Sequence, residues 1–131
     1  MKNGKDIRMF HGTKVLHWQS IKKDGIKAIG KGVLGEGFYF TPSVPIGMFY
    51  CFRSHGTHTK DRLQPVLVEL IIKDADKLIV GDFSKDRHKY PIQTTSSKFS
   101  VWEEGFWQFI VRSKEILNKH FQIERVFRLN M

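Results

Sequence analysis

Residues 28–41 read AIGKGVLGEGFYFT and contain a formal G-x-G-x-x-G at Gly30, Gly32 and Gly35. A dinucleotide fingerprint needs a strand immediately before such glycines and a helix immediately after, so that pyrophosphate meets the helix N-terminus. Here the order is reversed. The preceding segment, from about Val15 to Asp24, sets Val15, Trp18 and Ile21 on one helical face and stops at Gly25. The following segment, GFYFT, alternates as a strand. A kinase glycine loop fails as well, because the strand lysine, the catalytic-loop Asp and Asn, and the Asp-Phe-Gly are missing; GDFSKD at 81–86 is only a fragment of that set. What remains is a side-chain-poor, hairpin-like turn that delivers the chain into a strand.

Outward from this turn the elements alternate little. IRMFH (7–11) predicts a short strand, and Thr13 is placed to cap the first helix. After the glycines, Ser43 or Thr41 caps a second helix over about 44–54, whose apolar residues read as buried on most sides and whose first turn accepts Pro45. PVLVELII (65–72) is a strong strand, KLIV (77–80) a short one, and 81–100 reads as irregular surface. Strands at 106–112 and 121–129 close the chain. Helices early and strands late predict an α+β domain rather than a βαβ alternation.

The chain has 131 residues, the size of one domain with a real core, and is rich in aromatic residues, with 11 Phe, 3 Trp and 3 Tyr. Lys plus Arg number 22 against 13 Asp plus Glu, a formal net charge of +9 that attracts polyanions. A single cysteine, Cys51, excludes an internal disulfide and fits a reducing compartment. No long apolar run appears, so the expectation is a soluble, cytoplasmic protein with no membrane partner. His55, His58 and Asp61 lack a third defined ligand spacing, and no metal is expected. Arg53, Lys60 and Arg62 are candidates for phosphate contact or for a solvated face.

His11-Gly12-Thr13, a short helix, GEGFYF and then MFYC occur in one order and at compatible spacing. This order resembles the NAD-binding core of diphtheria-toxin-type ADP-ribosyltransferases, the class that includes the poly(ADP-ribose) polymerases. The tail FWQFIVRSKEI…KHFQIERVF resembles that family's closing strands, in which x-E-Y-I-V-Y carries a catalytic Glu. The resemblance covers residues 9–52 and 105–128. It implies a single ADP-ribosyltransferase-like domain over 1–131, with split antiparallel sheets, a few short helices and NAD as substrate. On it, His11 hydrogen-bonds the adenosine ribose, the backbone of Gly12 grips the nicotinamide carboxamide, and Tyr39 and Tyr50 sandwich the ring. Thr13 and Gly47 are lesser contacts, and His11, Tyr39 and Gln108 form the catalytic set.

The departure lies at Gln108, which stands where the family has Glu. An amide hydrogen-bonds ribose hydroxyls but carries no charge and accepts no proton, and losing such a group costs about 10²–10³ in rate. Three readings follow. The acceptor supplies its own base in a mono-transferase; Glu103 or Glu104 reaches the ribose instead; or the domain binds NAD or nucleic acid as a pseudoenzyme. The charge makes DNA or RNA an expected acceptor beside protein side chains, with segments 55–62 and 84–100 facing it.

Overall fold

The structure, a computed structural model, describes residues 5–26, 30–32, 35–52, 64–82, 101–105 and 108–129. The histidines at 55 and 58, Asp61, the cations Arg53, Lys60 and Arg62, and segments 55–62 and 84–100 lie outside the described residues.

PVLVELII forms β4 (Pro65–Ile72), buried at every position but Ile71, as expected of an unbroken apolar run. It is the central strand of a three-stranded antiparallel sheet, between β1 (Ile7–Lys14) and β8 (Phe121–Arg128). The second sheet has the order β2 (Gly30–Gly32), β3 (Gly35–Phe40), β7 (Gln108–Val111), β6 (Val101–Glu104), β5 (Val80–Asp82). The glycine-rich stretch is therefore a hairpin, with Gly30 opposite Gly37 and Gly32 opposite Gly35. A Cβ at Gly37 would lie 2.5 Å from Ile110 Cγ1, so this glycine makes room for the neighbouring strand.

Among the described residues the strand pairs are antiparallel except β5–β6, a parallel pair that departs from the split antiparallel sheets expected. A parallel pair needs a connection of about a dozen residues or more, and residues 83–100 supply that length. Among the described residues the backbones of the two sheets are joined at a bridge, where Phe10 N–H donates to Thr41 O (2.7 Å) and Thr41 N–H donates to Phe10 O (2.8 Å). Beyond that bridge β1 and β3 part.

Among the described residues three helices complete the mixed α+β architecture: α1 (Val15–Asp24), α2 (Val44–Phe52) and α3 (Lys114–His120). Gly25 ends α1 at φ 85°, its N–H donating to Ile21 O, as the sequence predicts. Thr13 does not cap α1. It pairs with Val66 in the β1–β4 ladder, and β1 runs on to Lys14 because those backbone bonds outcompete a cap. Ser43 is the cap of α2, its Oγ accepting from Ile46 N–H at 3.3 Å. α2 is described through Phe52, residues 53–54 of the expected helix lying outside the described residues, and only Gly47 and Cys51 are buried along it, so it is more exposed than its composition predicts. The expected strand at 77–80 is instead a 3₁₀ turn (Ala75–Lys77) followed by β5. Among the described residues, no helix is long and apolar enough to cross a membrane.

The core lies on one face of both sheets, where Met9, Phe38, Phe40, Val68, Leu70 and Val111 meet Leu117 of α3. Phe40 stacks on Phe109 at 5.5 Å and meets the edge of Phe121 at 5.1 Å. Each fully buried side chain of this kind contributes about 1.5–3 kcal/mol.

Candidate functional site

Strand alternation divides the aromatic triplet of β3. Phe38 and Phe40 enter the core, and half-buried Tyr39 turns to the other face. Tyr39 stands opposite Ile110 in the β3–β7 register, so Tyr39, Ile110 and Gln108 share that face. Arg112 is on it too, and its guanidinium lies near the Tyr39 phenol; burial pulls its pKa down while the phenol holds it up. The sequence pattern of 106–112 placed a strand here but gave no reason to single out Arg112.

Helix α2 packs on the first sheet, against β1 and β4, and reaches the second sheet through Tyr50. Gly12 of β1 and Gly47 of α2 allow the approach: a Cβ at Gly12 would stand 2.1 Å from Gly47 O and 2.9 Å from Cys51 N. A Cβ at Gly47 would stand 2.9 Å from Leu67 Cδ1. Both glycines therefore have a packing reason to be glycine. Lys14, buried at 8% exposure, donates through Nζ to the Cys51 carbonyl and so caps the C-terminal turn of α2. Burial lowers the pKa of Lys14 and raises that of the Cys51 thiol, which is fully enclosed and donates to Val66 O. Thr13, also buried, is adjacent to Lys14 in the strand.

Two contacts connect segments far apart in the chain. The Tyr50 hydroxyl donates to Gln108 Oε1, joining α2 to β7. His11 Nδ1–H donates to the Tyr39 carbonyl at 2.5 Å, joining β1 to β3, and its ring stacks on Phe38 at 4.2 Å. That bond fixes the tautomer, leaving Nε2 as the acceptor nitrogen of the neutral ring. The Phe10 amide and carbonyl bond Thr41 at the end of β3, and regular alternation turns those of Gly12 to the same edge of β1. Thus His11 is tied to the backbone of Tyr39 with its ring on the core side against Phe38, Tyr50 is tied to Gln108, and Gly12 and Gly47 set the approach of α2 to β1.

Gln108 is the least ordinary of these residues. It is 4% exposed, its oxygen is engaged by Tyr50, and its Nε2 is buried with no hydrogen-bond partner among the described residues. A buried amide donor left unmade costs about 1–3 kcal/mol.

The two carboxylates considered as substitutes separate cleanly. Glu103 pairs with Phe109 and so lies on the core-side face with the Phe40–Phe109 stack, opposite to Gln108. Glu104 is the register partner of Gln108 itself. Burial, then Asp82, raises the Glu103 carboxyl above its ordinary pKa. Its folded pKa exceeds the unfolded one, so its contribution to stability is full below the unfolded pKa and is lost as pH rises through the folded value. Glu103→Gln is therefore expected to raise the melting temperature at about pH 7 and to leave it unchanged near pH 4. Among the described residues, no group of three or more His, Cys, Asp or Glu side chains can hold a metal ion.

Comparison of the chain with protein-family models, curated proteins and solved structures returns no match.

Proposed function

We propose that the chain is a NAD-dependent mono-ADP-ribosyltransferase, built as one ADP-ribosyltransferase-like domain with its sheets split around the NAD site. The single observation that carries this reading is the pairing of the residues named by the sequence resemblance: His11 with the Tyr39 backbone, and Tyr50 with Gln108. Nothing local in the chain requires those contacts. The buried Gln108 Nε2 adds a donor that fits an oxygen of the nicotinamide ribose.

In the proposed reaction the bond between ribose C1′ and the pyridinium nitrogen breaks, and its electron pair goes to that nitrogen. Nicotinamide leaves neutral. An acceptor oxygen or nitrogen, from nucleic acid or protein, bonds to C1′ and gives its proton to its own base or to water. Tyr39 and Tyr50 hold the flat ring, and Gly12 meets the carboxamide through its backbone. His11 Nε2 accepts from the adenosine ribose, and Gln108 orients the other ribose. Gln108 takes no proton, so elongation to poly(ADP-ribose), which requires activation of a ribose hydroxyl, is disfavoured. A lone, enclosed Cys51 fits a reducing, cytoplasmic setting.

A second reading, a pseudoenzyme that binds NAD without turnover, is favoured by the same amide, because its oxygen is already engaged by Tyr50. Labelled NAD incubated with oligonucleotides or with lysate separates the two. Transfer predicts label on an acceptor with equimolar nicotinamide; the pseudoenzyme predicts thermal stabilisation by NAD and no nicotinamide. In both, Tyr39→Ala should weaken NAD binding about tenfold through loss of the stacking face, and His11→Ala should also weaken it. Calorimetric titration showing NAD affinity unchanged in both variants rejects the site.

A further inference from the structure

Helix α2 carries no charged residue over its nine positions, yet much of its surface is open to solvent. Phe49 is 65% exposed and Phe52 46% exposed, although burying such a ring would be favourable. The Phe49 ring meets the Tyr50 ring edge-on at 5.8 Å, and Tyr50 in turn donates to Gln108. The exposed aromatic surface is thus continuous with the candidate site. Gly47 of α2 rests against Phe10, and two residues back on the same strand face stands Arg8. Arg8 and Arg125 share one carboxylate, Glu69, at 3.4 and 3.2 Å. Two guanidiniums against one anion leave positive charge on side chains that are 58% and 61% exposed. Phe127, 40% exposed, stands opposite Leu67 on this face.

Aromatic platforms beside exposed arginines match the chemistry of an unpaired polynucleotide, whose bases stack and whose phosphates seek cations. The net charge of +9 favours the same partner. We propose that this face seats a single-stranded nucleic acid, with one base stacked on Phe49 beside the Tyr50–Gln108 pair and the backbone running toward Arg8 and Arg125. This identification of the acceptor rests on the transferase reading, and its binding is measurable without NAD.

The test is fluorescence anisotropy with fluorescein-labelled single-stranded DNA and RNA of mixed sequence, alongside sedimentation with phosphatidylserine vesicles. Binding should weaken steeply with added salt. The double substitution Phe49→Ala, Phe52→Ala should weaken it about tenfold or more, and Phe49→Trp should preserve it. Thermal stabilisation by NAD should persist in each variant, which also reports that each is folded. Absence of oligonucleotide binding, affinity indifferent to the double substitution, or preference for vesicles overturns this inference. Any of these with NAD stabilisation intact leaves the transferase reading standing, whereas loss of NAD stabilisation in the wild-type protein removes that reading instead.

Discussion

Gln108→Glu is expected to accelerate nicotinamide release from NAD by about 10²- to 10³-fold. The substitution changes one atom group at a site whose geometry already suits a carboxylate. Tyr50, which now donates to Oε1, would donate equally to a carboxylate oxygen. The second oxygen would replace Nε2, the donor that has no partner among the described residues. There it would accept from a ribose hydroxyl and favour positive charge at the anomeric carbon. Enclosure raises the pKa of a carboxyl at this 4%-exposed position, and the Tyr50 hydroxyl opposes that shift. The gained rate should therefore rise with pH as the carboxyl ionises. Steady-state assay of nicotinamide against pH, with NAD affinity measured in parallel, checks both features. An unaltered rate with intact NAD affinity would mean that position 108 does not face the ribose.

Gly12→Ala is expected to destabilise the fold by about 3 kcal/mol, lowering the melting temperature by about 10 °C. The new Cβ would stand 2.1 Å from a backbone oxygen, Gly47 O, and 2.9 Å from a backbone nitrogen, so the relief must come from moving α2 off β1. Gly47→Ala should cost much less, because its nearest obstacle is the tip of the Leu67 side chain. Displacement of α2 carries Tyr50 away from Gln108, so Gly12→Ala should also lose NAD binding at temperatures where it remains folded. Thermal denaturation of the two variants side by side distinguishes this packing from a glycine needed only for ligand contact, for which both would melt like wild type.

The elements that the sequence predicts well are those whose determinants are local. β4 is an unbroken apolar run, α1 carries its own glycine stop, and the reversed order around Gly30, Gly32 and Gly35 excludes a phosphate-binding helix and leaves a hairpin. Short elements held by tertiary packing were not legible. α3 has seven residues, and its Ser113 cap and buried Leu117 carry little periodicity. β6 has four residues, paired in parallel to β5 across a long connection. Thr13 reads as a cap until β4 is present to pair with it.

The candidate site divides in the same way. Residue types and order drew attention to His11, Tyr39, Tyr50 and Gln108. The bond between Tyr50 and Gln108, 58 residues apart, is fixed by the Gly12–Gly47 approach and has no local signature. Arg112 enters through strand register alone, four residues beyond Gln108 on the same face. Lys14 belongs to the helix it caps through a contact 37 residues away.

A crystal structure of the protein soaked with nicotinamide tests the central claim most directly. The ring is predicted to lie between the Tyr39 and Tyr50 side chains, with its carboxamide on the Gly12 backbone and Gln108 at its ribose-bearing end. Electron density for nicotinamide elsewhere, or none at saturating concentration with the phenols packed against each other, would contradict it.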